Sequence, residues 1–195
     1  SAITNSWTQV TQKWAVSFSH YSKLTIAFIG LGVTSILLFI ISYLVGFPDV
    51  DGRFWTAVLI TGVLNAVAFP IMLKAYELGE FSSVYSMILL TPAFLLITSL
   101  VFLGEAVSIG GIAGVLLTVV GLWVIARGNH EHASVPNFTK GNLLGILVAF
   151  IWSVTVNFDK LSAFYSNPVF AAAVGSGIVS IGNLLFLLVK HRRVF

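Results

Sequence analysis

Two apolar segments, residues 82–103 and 108–126, follow one another with only a short turn between them. The hydrocarbon core of a bilayer is about 30 Å thick, so a helix needs about 20 apolar residues to cross it. Each segment meets that length, and the turn, which contains Leu103-Gly104-Glu105, leaves room only for a tight reversal. The pair therefore predicts two antiparallel transmembrane helices.

Further apolar segments make the membrane assignment general to the chain. Four more are long enough to span, namely residues 24–46, 54–73, 143–161 and 169–189. The chain has 195 residues, 57% of them hydrophobic and 9% charged, and a soluble fold of that size has no core that could bury six such segments. In lipid, each segment must form a helix that satisfies its own backbone hydrogen bonds. The sequence predicts an all-α, polytopic membrane protein.

The order of motifs around these segments resembles the EamA-type permeases of the drug/metabolite transporter superfamily. The matching features are a small polar stretch after Tyr76, Pro92 inside a span, Leu103-Gly104-Glu105 at its end, and a glycine-rich exit with Gly110, Gly111, Gly114 and Gly121. The resemblance implies a secondary carrier in the plasma membrane, or the bacterial inner membrane, that moves small organic solutes. Amino acids, metabolites and drugs are the implied solutes, often moved outward, and the implied fold has ten helices in two five-helix halves.

An internal repeat supports the two-half plan. Shifting the sequence by 147 residues aligns Lys13 with Lys160, and aligns Leu37-Leu38-Phe39 with Leu184-Leu185-Phe186. Five spans, counting a first segment before residue 24, lie between equivalent positions, and an odd number inverts the second copy in the membrane. Inverted repeats of this kind place the solute near the bilayer midplane, between the halves.

The repeat also predicts domain boundaries. A first five-helix repeat covers residues 1–127, a connecting loop covers 128–139, and the start of a second, inverted repeat covers 140–195. The second copy begins near residue 141, which maps before residue 1, so the first helix is expected to be truncated at its N-terminus. About seven of the ten helices that the resemblance implies would then be present.

Polar residues at membrane depth are the candidates for a solute site. In the first segment, Asn5, Gln9 and Gln12 share one helix face, since they stand at i, i+4 and i+7. The matching face of the second copy holds Trp152, Asp159 and Lys160, and the third and fourth spans add Asn65 and Tyr85. The predicted solute-binding residues are therefore Asn5, Gln9, Gln12, Asn65, Tyr85, Trp152, Asp159 and Lys160.

Each candidate also has a structural interpretation. Lys160 can extend to the headgroups from near a helix end, and Asp159 beside it predicts a local ion pair. Asn65 can bond a neighbouring helix instead of a solute, and Trp152 can anchor the protein at the interface. Glu105 stands at the start of the next helix, where a carboxylate favours the positive end of the helix dipole, so it is predicted to cap that helix.

The sequence also bears on two other function classes, an enzyme and a membrane scaffold. An enzyme finds little support, because His130-Glu131-His132 lacks the i, i+4 spacing of a zinc helix and Gly175-Ser176-Gly177 is not a nucleophile elbow. No phosphate loop and no cysteine is present, so no nucleotide, metal or other cofactor is expected. The net charge of +3 comes from loop ends and does not indicate nucleic acid. A non-transporting membrane scaffold stays an alternative, and association into a homo-oligomer is left open.

Membrane orientation has two opposed indications. With alternating helices, one side collects eight basic residues and the other side collects Arg53 and Lys160. The excess of positive charge predicts that the first side is cytoplasmic. The family resemblance implies the opposite orientation, with both termini in the cytoplasm.

Overall fold

The computed structural model describes residues 23–105, 108–128 and 138–192, and these ranges are largely helical. They form seven helices: α1 Lys23–Val45, α2 Gly52–Leu78, α3 Phe81–Ile88, α4 Thr91–Leu103, α5 Ile109–Gly128, α6 Lys140–Phe164 and α7 Pro168–Arg192. Five segments are long and apolar enough to cross a membrane: Leu24–Val45, Gly52–Leu78, Phe81–Leu103, Lys140–Phe164 and Pro168–Val189. The predicted all-α, polytopic membrane fold is confirmed.

The span predicted at residues 82–103 consists of two helices, α3 and α4, with Leu89 and Leu90 between them. Pro92, in the first turn of α4, has no N–H to donate to the carbonyl of Ile88, four residues earlier. The hydroxyl of Thr91 donates to that carbonyl instead, at 2.6 Å. Pro92 therefore interrupts the span, and Thr91 satisfies the Ile88 carbonyl that the proline leaves without a hydrogen bond.

Helix α2 lies at the centre of the described bundle and packs against α6 and α7. It runs antiparallel to α6, because Thr61 contacts Thr155 while Gly141, at the start of α6, lies against Ala75 near the end of α2. Helices α2 and α7 are each a single uninterrupted helix, and they run parallel to one another. Their rings Phe54 and Phe170 lie 5.4 Å apart near the start of each helix.

Helix α1 packs on α7 through small residues and hydroxyls. Ser35 donates to the carbonyl of Ala173 at 2.7 Å, and Ser180 donates to the carbonyl of Phe28 at 2.8 Å. The later residue of α1, Ser35, contacts the earlier part of α7, and the earlier residue, Phe28, contacts the later part, so the two helices are antiparallel. Hydroxyl-to-carbonyl bonds of this kind let helices approach closely where lipid offers no polar partner.

Helices α3 and α4 pack on α6 and run parallel to it. Asn142 donates to the hydroxyl of Ser83 at 2.6 Å, and the rings of Phe102 and Phe158 lie 5.5 Å apart. With the antiparallel α1–α7 and α2–α6 pairs, this arrangement means that consecutive membrane spans of the described chain run in opposite directions. The described chain therefore has two ends: an Arg53 side, with the α1–α2, α4–α5 and α6–α7 turns, and a Lys74 side opposite it.

Candidate functional site

A chain of polar side chains connects α6 with the middle of α2. The Thr61 hydroxyl donates to the Asp159 carboxylate at 2.6 Å and lies 3.4 Å from the carbonyl oxygen of Thr155. The Asn65 amide nitrogen lies 3.4 Å from the Thr61 hydroxyl. Asn65 is the central residue of α2, with thirteen residues on either side. Two predicted site residues, Asn65 and Asp159, are thus joined through Thr61.

The helix lengths indicate how deep this chain lies. A helix of 27 residues, such as α2, is about 40 Å long, so about 5 Å of it extends beyond each side of a 30 Å hydrocarbon core. Thr61 follows Gly52 by nine residues, which corresponds to about 13.5 Å of helix, and lies about 8 Å inside the core. Asp159 is exposed on the described bundle but directs its carboxylate inward, to this hydroxyl.

Asp159 and Lys160 bond to different partners, so the predicted ion pair between them is wrong. The Lys160 ammonium pairs with the Glu105 carboxylate, in the turn after α4. Successive residues of a helix point in directions about 100° apart, which brings Asp159 towards α2 and Lys160 towards α4. The adjacency in sequence therefore does not become adjacency of the charged groups.

The predicted capping role of Glu105 is also wrong. Helix α5 begins at Ile109, four residues after Glu105. The backbone N–H of Gly111 donates instead to the hydroxyl of Ser108, at 3.0 Å. Ser108 therefore has the position and the bond of an N-cap, and Glu105 connects the α4–α5 turn with α6 through Lys160.

Trp152 is the central residue of α6, with twelve residues on either side, so it lies close to the level of Asn65. It packs against the apolar cluster between α2, α3 and α6, as Tyr76 and Met72 do. It stands seven residues before Asp159, which places both on one face of α6, about 10 Å apart along the helix. That face is the one that contacts α2.

Tyr85 reaches the same region through a row of aromatic rings. Its ring is stacked on Phe81, with centroids 5.8 Å apart and planes 6° from parallel. Phe81 in turn contacts Tyr76 at 4.9 Å, and Tyr76 packs in the cluster that includes Trp152. Tyr85 and Trp152 are both half-buried, so each retains an accessible face.

The structure joins two of the predicted residues, Asn65 and Asp159, through Thr61, and it brings Trp152 and Tyr85 to the apolar cluster around Tyr76. We call these four predicted residues, with Thr61 and Tyr76, the α2–α6 site. Lys160 lies outside it, in the ion pair with Glu105. The predicted residues Asn5, Gln9 and Gln12 lie outside the described part of the chain. Within the described ranges, no group of three His, Asp or Glu residues could hold a metal ion.

Thr61 and Asn157 are not among the residues predicted from the sequence, and the two differ in their partners. Thr61 stands four residues before Asn65, so a search for polar neighbours on the same helix face would have found it. Asn157 is buried and bonds another helix: its amide donates to the Thr98 hydroxyl at 3.0 Å and to the Ser153 carbonyl at 2.8 Å. Thr98 also donates to Ser153, at 3.1 Å. This cluster holds α4 on α6.

A separate cavity of about 460 Å³ opens on the Arg53 side, lined by Asp49, Val50, Asp51, Arg53, Phe164, Tyr165 and Ser166. Asp51 caps α2 and accepts from the Arg53 guanidinium through both carboxylate oxygens. These hydrogen bonds lower the pKa of Asp51 to about 2. The guanidinium lies 4.6 Å from the centre of the Tyr165 ring. The cavity includes no residue of the α2–α6 site.

Comparison with protein families gives a match over most of the chain. Residues 1–127 of the 195 match the family model described as the EamA-like transporter family. No curated protein and no solved structure gives a significant match.

Proposed function

The chain belongs to the EamA-like transporter family and is a multi-pass membrane transporter, and we propose that it is a secondary permease that exports small organic solutes. Amino acids, metabolites and drugs are the solute classes, and the bacterial inner membrane, or the plasma membrane, is the proposed location. Transporters of this family move solutes without chemical conversion, so no catalytic residue is assigned.

The proposed solute site is the α2–α6 site. Asn65 and Trp152 stand at the middle of their helices, which is the depth at which carriers built from inverted repeats hold their solutes. Asn5, Gln9 and Gln12 are proposed to face the same site from the first segment. Lys160 is proposed to act at the edge of the site, where its ammonium pairs with Glu105.

The observation that carries the proposal is the chain from Asp159 through Thr61 to Asn65. Polar groups at membrane depth are costly unless they are paired or face a water-filled cavity. Within the described residues, Asn65 makes a single long hydrogen bond, through its nitrogen. Its amide oxygen and second N–H remain able to bond a solute, and Trp152 supplies a large ring at the same level.

The two halves of the cavity are proposed to be the inverted repeats over residues 1–127 and 140–195, connected by residues 128–139. The repeat in the sequence motivates this division, and the alternating directions of the described spans agree with it. Rocking of one half against the other would then expose the site to each side in turn.

Two asparagines on facing helices provide a matched test. We expect Asn65→Ala to reduce solute transport at least about tenfold, because a hydrogen bond to the solute is lost, and to leave the amount of folded protein unchanged. Asn157→Ala should do the opposite, lowering the folded amount while transport per folded molecule stays near wild type. The measurement is exchange of radiolabelled amino acids, amines and organic acids by the purified protein in proteoliposomes.

Equal transport by the Asn65→Ala variant and the wild type would remove Asn65 from the site. Absence of exchange of every labelled solute, by protein that retains its helical circular dichroism, would refute the carrier function and favour the scaffold alternative.

A further inference from the structure

The charges around the α2–α6 site are not balanced. Three basic side chains of the described residues are each paired with a carboxylate: Arg53 with Asp51, Lys74 with Glu77, and Lys160 with Glu105. Asp159 takes part in none of these pairs. Its hydrogen bond comes from the neutral hydroxyl of Thr61, so the carboxylate has no cationic partner among the described residues.

The bond to Thr61 fixes where this carboxylate points. Asp159 is near the end of α6, five residues before Phe164, and could direct its carboxylate outward to the nearer membrane surface. It bonds inward instead, to a hydroxyl about 8 Å inside the hydrocarbon core. An exposed carboxylate inside the core is costly in contact with lipid, so we expect its open side to face a polar cavity.

The neighbouring cation is held away from the site. Lys160 is the residue next to Asp159 and would neutralise it most directly, but its ammonium is bonded to Glu105 at the α4–α5 turn. The site therefore contains a carboxylate, two neutral amide or hydroxyl groups and aromatic rings. The face of a tryptophan ring attracts cations as well.

We infer that the α2–α6 site selects solutes that carry a positively charged amine, with Asp159 as the residue that binds the charge. The inference rests on the proposed function and names its solute class. The ammonium group bonds the Asp159 carboxylate, and an apolar or aromatic body extends about 10 Å along α6 to Trp152. Thr61 holds the carboxylate in place, and Asn65 bonds a polar group of the body.

Three probes with the same phenyl ring and different charge test the inference: phenethylamine, 2-phenylethanol and phenylacetate. Their binding to the purified full chain in lipid nanodiscs is measured by equilibrium dialysis, with empty nanodiscs as background. A hydrogen bond to a charged group contributes more than one to a neutral group, so phenethylamine should bind at least about 10-fold more tightly than 2-phenylethanol. Phenylacetate should bind least.

Variants of the carboxylate complete the test. Asp159→Asn should remove the preference for the amine and leave binding of 2-phenylethanol unchanged, while Asp159→Glu, which keeps the charge, should restore the preference. Glu77→Gln, at an exposed carboxylate far along α2, is the control and should behave as wild type. Elution volume and helical circular dichroism identify folded protein in each case.

Two results would overturn the inference: phenethylamine binding no more tightly than 2-phenylethanol to the wild type, or a preference that survives Asp159→Asn. If 2-phenylethanol or phenylacetate is bound and transported without any advantage for the amine, the carrier function stands and the charge selectivity fails. If the amine preference follows Asp159 but no solute is exchanged in proteoliposomes, the selectivity stands and the carrier function fails.

Discussion

Gly141, the second residue of α6, tests the packing of α6 on α2. A Cβ atom added there would lie 2.6 Å from the carbonyl oxygen of Ala75 and 2.6 Å from the backbone nitrogen of Gly79, where ordinary contacts begin at 3.4 Å. Both neighbours are backbone atoms, which cannot rotate away, so the helices must separate by a few tenths of an ångström or more. Overpacking of this kind costs about 1–3 kcal/mol.

The net effect of Gly141→Ala is therefore destabilising. Alanine in a helix interior stabilises the helix by up to about 1 kcal/mol relative to glycine, but the gain in stability is smaller in the first turn, where Gly141 lies. We expect a loss of about 1–2 kcal/mol in the free energy of unfolding. The measurement is titration with sodium dodecyl sulfate in mixed micelles, followed by the fluorescence of the five tryptophans and by circular dichroism.

Gly114→Ala in α5 is the matched control, because a Cβ atom added at Gly114 has no neighbouring atom within 4 Å. It should leave the free energy of unfolding unchanged or raise it by up to about 1 kcal/mol. A Gly141→Ala variant as stable as wild type would refute the close α2–α6 approach. A loss of more than about 1 kcal/mol for Gly114→Ala would mean that another helix covers the glycine face of α5.

Two further predictions concern the charged residues. The Glu105–Lys160 pair is exposed, so a double-mutant cycle with Glu105→Gln and Lys160→Met should give a coupling free energy below about 1 kcal/mol. A larger coupling free energy would mean that the pair is shielded from water. The excess of lysine on the Lys74 side predicts that an impermeant maleimide applied to intact cells labels an Asp49→Cys variant but not a Glu80→Cys variant; the reverse labelling would support the orientation that the family resemblance implies.

Most of the fold is readable from the sequence because bilayer thickness and helix geometry fix the length of a span. The predicted segments 54–73 and 143–161 lie inside α2 and α6, which extend a few residues farther at each end. Hydropathy alone does not place the break at Leu89 and Leu90, since both residues are apolar. Pro92 indicates such a break, but helices also continue past proline, as α2 does at Pro70.

The site was predicted less completely, for a different reason. Depth indicates Asn65, because a polar residue in the middle of a span is rare enough to stand out, and the helix face that matches the first segment indicates Trp152 and Asp159. Partners depend on the rotation of each helix against its neighbours, which no local pattern reports. The pairing of Lys160 with Glu105, 55 residues away, instead of with Asp159 is the clearest example.

Helix α6 shows how structural and functional polar residues can be told apart within one membrane span. It contacts α2, α3, α4 and α7, and it bonds three of them through polar side chains. Asn142 and Asn157 are buried, and each amide makes more than one hydrogen bond, so little capacity remains for another ligand. Asp159 is exposed and its carboxylate accepts one hydrogen bond, from a neutral hydroxyl, although an ionised carboxylate can accept several. Saturated polar groups hold helices together, whereas an unsaturated and accessible one inside the membrane needs a partner, and under the proposed function the solute is that partner.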